Sequence, residues 1–367
     1  MSLPTRPERP RRPALVALAL AAACLAALVA APGAAFAQTA SARALGVPHR
    51  HPTEPSGRYT PLVEVPASAD VVTVGTYWVN IYGLDFRSNT CFITLYVWLK
   101  WRGEGDPSLS LEFANAVQDW QLKKTRAFTE PKVLPGGQKY QEMRVSGLFY
   151  QPYDLREYPL DVQHIDLYLE DNARTMDEVV YLADTESSGL DSSLAIPGWN
   201  VEGLTSQSFV HDYQTDFGDP TAGREASDFT SLLYTVTIER DIDYFLWKLL
   251  FPLVIVLLTN WLALLLRPNW IDLRTGMPAT ALLTLVFLQA SYSDNLPELS
   301  YLVLMDKIYV MAYAMIIFTL LQVIWSNHRL KQHQLEVTHE VRRLDLASAV
   351  IQFAVFWSVL GYLVVIR

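Results

Sequence analysis

Four apolar segments fill the last third of this 367-residue chain: Tyr244 to Leu266, Thr275 to Tyr292, Tyr301 to Trp325 and Leu346 to Ile366. Three of them are long enough to cross ~30 Å of hydrocarbon as helices. The second is shorter and carries Thr280, Thr284, Gln289 and Ser291, so lipid suits only part of its circumference. A helix shielded by its neighbours, with one face to water, accommodates it better. Arg267 and Arg274 flank the first connection, and Arg329, Lys331, Arg342 and Arg343 lie in the third, whereas Asp294 to Ser300 has no Lys or Arg. Positive charge marks the cytoplasmic side, so the first and third connections are placed there. The expected spans are 244–266, 272–294, 299–325 and 346–366, with a cytoplasmic loop over 326–345.

The rest of the chain has a different texture. Arg6, Arg9, Arg11 and Arg12 precede the apolar run Ala14 to Ala31, and Ala35-Phe36-Ala37 supplies small residues before Gln38. Residues 1–37 therefore read as a cleaved secretory signal, with a single anchoring helix as the alternative. Residues 38–67 form a leading segment, and 68–243 an exported domain. Within that domain, short alternating runs occur at Val71 to Ile81, Cys91 to Trp101, Lys139 to Phe149, Val162 to Leu169 and Leu232 to Ile238. Turn-forming clusters such as Arg102 to Pro107 and Pro135-Gly136-Gly137 divide them. The pattern predicts an all-β, immunoglobulin-like antiparallel sandwich followed by an all-α domain of four membrane helices.

Cys24 and Cys91 are the only cysteines. Cys24 leaves with the signal, so the exported domain holds no intrachain disulfide and rests on packing. Residues 39–243 carry 30 acidic and 16 basic side chains, a formal charge of -14. Nucleic acid is excluded as a partner on that balance. An acidic exterior raises the local cation concentration, and it equally serves solubility.

Steps of four and three residues through the second apolar segment select Gly276, Thr280, Leu283, Phe287, Ala290 and Asp294 as one helical face. The stripe begins small and polar, turns apolar at Leu283 and Phe287, and ends acidic, with Asp272 just before its cytoplasmic end. Repeated about a symmetry axis, these residues form stacked rings. Carboxylate rings of Asp272 and Asp294 favour cations, and apolar rings at Leu283 and Phe287 gate by expelling water. One such helix encloses nothing, so the stripe requires a closed cyclic oligomer. Ordinary helix packing, with the threonines bonding back to their own helix, is the competing account. Pro278 lies inside the segment and is expected either to delay the regular helix, which puts Gly276 in question, or to kink it.

Over roughly residues 70 to 367, several motifs together resemble the pentameric ligand-gated ion channels, or Cys-loop receptors, and especially their prokaryotic branch. The most specific is Tyr158-Pro159-Leu160-Asp161 followed by Gln163. The two cysteines that bracket this loop in animal receptors fall at Gln151 and Ile165, as the prokaryotic branch would show. Further matches are the strand end Trp98 to Trp101, Arg240 four residues before Tyr244, Pro252 in the first helix, and Asn295-Leu296-Pro297 after the second. The resemblance implies a homopentamer around a central pore: four further identical subunits, membrane lipids, permeant cations, and a small agonist or protons as partners. It places the protein in a bacterial inner membrane with its β domain in the periplasm or extracellular space.

By the same resemblance, Asp85, Asp161 and Arg240 meet at a junction between the domains, with Tyr158 and Pro159 beside them and Pro297 in the loop that receives motion. Asp85 shaping only its own turn is the alternative. An aromatic ligand box between subunits draws on Tyr213 and Phe229, which flank the polar stretch Gln214 to Asp228, with Trp120 or Phe128 opposite. Such a box attracts amines through cation-π interaction. Core packing is the better account of any one of these rings taken alone.

The sequence has no serine-nucleophile motif, phosphate-binding glycine loop or paired His/Cys ligand spacing, so an enzyme, a cofactor and a metal site are not expected. His164 and His211 stand isolated in the exported domain. A non-conducting oligomeric envelope sensor, sharing the β domain and using the helices for transmission, is the alternative function. The agonist is not written in the sequence.

Overall fold

The structure, a computed structural model, describes residues 58–215, 218, 228–332 and 337–365. The signal segment 1–37, most of 38–67 and most of the stretch 214–228 lie outside the described residues. The described chain falls into two compact units, one holding 58–251 with 290–303 and the other holding 252–289 and 304–365.

The first unit is a β-sandwich. Its strands are β1 (Arg58–Pro61), β2 (Asp70–Asp85), β3 (Thr90–Trp101), β4 (Leu111–Phe113), β5 (Lys123–Arg126), β6 (Lys132–Val133), β7 (Lys139–Tyr150), β8 (Val162–Asp171), β9 (Val179–Ala183), β10 (Gly189–Leu190), β11 (Trp199–Asp212) and β12 (Asp228–Arg240). One sheet runs β1-β11-β12-β8-β4 and the other β10-β2-β3-β7-β5, with β6 on β7 and β9 on β2. All pairs are antiparallel except β9 and β10, which lie parallel to β2.

Period-two alternation explains this arrangement. Every second residue of β3, from Cys91 through Ile93, Leu95, Val97 and Leu99 to Trp101, is at most 2% exposed. On the facing sheet, Ile165, Leu167 and Leu169 of β8 and Leu232, Tyr234, Val236 and Ile238 of β12 are fully buried. At ~1.5–3 kcal/mol for each fully buried side chain, these strands supply a large share of the driving force for the sandwich. Tyr234 joins the layers, its hydroxyl donating to the Val74 carbonyl of β2 at 2.7 Å. Gly75 lets the Trp98 indole lie flat across β2, since a Cβ there would sit 2.2 Å from the ring. Cys91 is buried, and burial pushes its thiol up to about 12, so it stays protonated and unreactive near neutrality.

The helices are α1 (Phe251–Leu265), α2 (Ile271–Ser293), α3 (Leu304–Gln332) and α4 (Val337–Val365). A π-helical turn, Tyr244–Leu250, precedes α1, and the Phe251 amide reaches back five residues to the Leu246 carbonyl. Pro252 has no N–H to offer the carbonyl four residues earlier, and the wider turn absorbs that loss. Pro278 does not delay α2, which begins at Ile271 and continues through it. Segment 326–345, expected as a loop, is helical over 326–332 and 337–345, because α3 and α4 continue past their apolar stretches. Among the described residues, four helices have the length and composition to cross a membrane.

Candidate functional site: the α2 stripe, the Arg240 cluster and the aromatic residues

Arg240 ends β12 and needs a counter-charge because its side chain is only 10% exposed. Asp161, 1% exposed, supplies it bidentately, accepting from Nε at 2.6 Å and from Nη2 at 3.1 Å. The guanidinium carbon also lies 4.1 Å from the Trp199 ring centre, 4.9 Å from Tyr158 and 5.2 Å from Phe86. Tyr158, joined to Pro159 by a cis peptide, holds its hydroxyl 3.4 Å from that of Tyr244 at the start of the π-helical turn. Burial, and then the Tyr244 hydroxyl, raise the Tyr158 phenol above its ordinary value, so it remains neutral.

Asp85 does not join this cluster. Its carboxylate accepts the amides of Arg87 and Ser88, an Asx turn that holds its pKa below the ordinary range through hydrogen bonds to Ser88 and Arg87. The neighbouring Phe86 takes the place that the sequence assigned to Asp85. Trp199 and Phe86 were both missed, because neither carries a charge that calls for a partner. The Arg87 guanidinium donates to the Asp294 carbonyl just past the end of α2, and the Tyr301 hydroxyl accepts from the Leu155 amide at 3.4 Å. Pro297 is half-buried between them in sequence, after the buried Leu296.

Two glutamine amides hold the loop that carries Tyr158 to Asp161. Gln151 is fully buried, donates to the Asp166 carbonyl at 2.7 Å and accepts the Asp166 amide at 2.9 Å. Gln163 does the same for Asp154, at 2.7 and 3.2 Å, and also donates to the Asp161 carboxylate at 2.6 Å. A primary amide matches a peptide's donor and acceptor at once, so each glutamine closes part of the loop without a covalent bond.

The four aromatic residues fall into two groups. Tyr213 and Phe229 follow β11 and lie in β12, with ring centres 5.6 Å apart at 87°. The Tyr213 hydroxyl is already committed to Glu170 at 2.6 Å, and burial followed by that carboxylate raises its pKa. His211 is not isolated: its ring stacks on Tyr59 with centres 4.1 Å apart, lies tilted 3.9 Å from Tyr213, and holds Nδ1 2.9 Å from Glu170. That tyrosine–histidine–carboxylate group had no sequence signal, since its members come from β1, β8 and β11. Trp120 and Phe128 belong to the run attached to β7 in the other sheet. Trp120 is 80% exposed on a short helical turn, and Lys132 Nζ stands 3.7 Å over the Phe128 ring.

The α2 residues selected by the periodicity share an exposed face. Gly276, Thr280, Leu283, Phe287, Ala290 and Asp294 are all exposed, Leu283 at 58% and Phe287 at 67%, and so is Asp272 in the first turn. The opposite face, with Arg274, Pro278, Ala281, Leu285 and Tyr292, is buried. Thr284 bonds back to the Thr280 carbonyl at 2.9 Å, which satisfies its hydroxyl within the helix. A 23-residue helix is ~35 Å long, enough for a full crossing. The stripe thus presents two large apolar side chains to whatever medium or copy covers it.

A β-sandwich followed by four helices of this kind defines a multi-pass membrane protein. No protein-family model matches the chain. Over 215 residues, 56% of the chain, it is 25% identical to the glutamate-gated chloride channel subunit beta of Haemonchus contortus, and the match covers 46% of that relative. The chain spans about half the length of the curated relative it matches. Sequence and fold together fit the superfamily of pentameric ligand-gated ion channels, the Cys-loop receptors.

Proposed function

We propose that the chain is one subunit of a pentameric ligand-gated cation channel, with the β-sandwich on the periplasmic side of a bacterial inner membrane and α2 lining the pore. The observation that carries this is the exposed stripe from Gly276 to Asp294, graded from small polar through apolar to acidic, on a helix whose other face is buried. An exposed leucine and phenylalanine one turn apart are costly in water, and rings of them at a narrow axis form a dewetting gate. The relative's name assigns chloride to that protein. In this chain Asp272 and Asp294, both exposed, support cations instead.

Arg240, Asp161, Tyr158 and Pro159, with Pro297 in the loop after α2, act as the coupling junction. Tyr213 and Phe229 face Trp120 or Phe128 of a neighbouring copy, where an amine or protons act as the stimulus. Purified protein in planar bilayers, exposed to a pH series and a small panel of amines, tests this. Stimulus-dependent cation current from particles with five subunits is the expected result. Ligand binding without current under any stimulus would favour a non-conducting sensor.

A further inference from the structure

Arg274 and Asp345 are both buried, at 0% and 1% exposure. Arg274 follows Asp272 by two residues on α2, a rotation of ~200° on a helix, so the two charges lie on opposite faces. Asp272 is exposed, on the face of α2 that carries the stripe. The Arg274 guanidinium turns inward, where Nη2 donates to Asp345 Oδ2 of α4 and Nε donates to the Ala263 carbonyl of α1 at 3.1 Å. The other Asp345 oxygen accepts from Gln322 Nε2 at 2.8 Å and Ser326 Oγ at 3.3 Å, both on α3. Gln322 is itself fixed by the Ser348 hydroxyl at 2.5 Å. The carboxylate that holds Arg274 is therefore positioned by two helices.

We propose that Asp345 sets the charge selectivity of the inner pore mouth by withholding the Arg274 guanidinium from it, leaving Asp272 as the charge that α2 presents there. The inference rests on the cation-channel reading. A buried guanidinium without a carboxylate is driven toward water, and arginine's long stem lets the head group reach it. On the cation-channel reading the inner mouth holds water, and Arg274 released into it would cancel Asp272. With the pair intact, these three residues leave one net negative charge per subunit. Arg267 in the α1–α2 connection and Arg342 and Arg343, within one turn of Asp345, stay exposed and form a constant background. Asp345 is thus a positioning residue, acting on permeant ions through Arg274.

The test compares sodium-to-chloride permeability ratios, from reversal potentials in a salt gradient, for wild type, Asp345→Asn and the neutral pair Arg274→Gln/Asp345→Asn. The single variant is expected to lose ~tenfold or more in the ratio, in line with the effect of focused charge on local ion concentration. The double variant is expected to return to within ~threefold of wild type, because the stranded charge is gone. An unchanged ratio in Asp345→Asn overturns the inference. If Asp345→Asn fails to assemble, the double variant decides alone, since a ratio ~tenfold above wild type would mean that Arg274 already faced the pore. A wild type that passes no current, or passes chloride, defeats the cation-channel reading itself.

Discussion

Replacing Leu283 with serine is expected to open a standing leak. Leu283 is 58% exposed, with Phe287 one turn above it, and nothing among the described residues covers either. Water filling a ring of leucines meets apolar surface at a cost of ~1.5–3 kcal/mol per side chain. On the proposed reading, that cost is what keeps the closed pore dry. Serine removes it in every subunit at once, so resting flux in vesicles should rise ~tenfold or more, given that ~1.4 kcal/mol is already tenfold in an equilibrium. Leu285→Ser, on the buried face of the same helix, should lower stability without a leak. Equal leak from both variants would show that α2 does not line the pore by this face.

The second large effect belongs to Arg240. Its removal leaves Asp161 1% exposed with Gln163 as the remaining side-chain donor to the carboxylate, and empties the space between Trp199, Tyr158 and Phe86. Truncating one partner of such a buried pair costs ~3–5 kcal/mol. Arg240→Ala should accordingly lose a large part of the β domain's stability in denaturant titration, and Arg240→Lys, which keeps charge but not the bidentate fork, should lose less. A loss below ~1 kcal/mol for Arg240→Ala would place the pair among surface ion pairs, contrary to its burial.

Much of the fold was legible because burial imposes a period. Strands β2, β3, β7, β8 and β12 were each found within a few residues, since one face of each is apolar and sealed. β11 was not found. Its run Asn200, Glu202, Thr205, Ser206, Gln207 and Ser208 is polar, its faces are half-exposed, and its place is fixed by pairing with β12 over its length. β1 was missed for the same reason, being four residues held by β11.

The candidate site was legible where chemistry is local. The α2 stripe follows from helical geometry alone, and Asp161 and Arg240 each announce a charge that needs a partner. Side chains brought together from distant segments left no trace. Asp85 turned to its own loop amides while Phe86 reached Arg240, an outcome decided by turn geometry within two residues. Arg274 and Asp345 were read as a boundary charge and a loop residue. Their pairing spans 71 positions and depends on α4 extending into what the hydropathy pattern marked as a loop.

The stripe can be tested residue by residue with cysteines introduced into a Cys24→Ala background, because Cys91 is buried with its thiol pushed up to about 12 and so contributes no background labelling. Thr280→Cys, Leu283→Cys and Phe287→Cys, with Ala281→Cys and Leu285→Cys as buried-face controls, would be assembled in bilayers and treated with a charged thiol reagent during current recording. Irreversible block at the first three positions and none at the two controls is the result expected of a pore lined by this face of α2. Block at Ala281 and Leu285 with none at Thr280, Leu283 and Phe287 would contradict it.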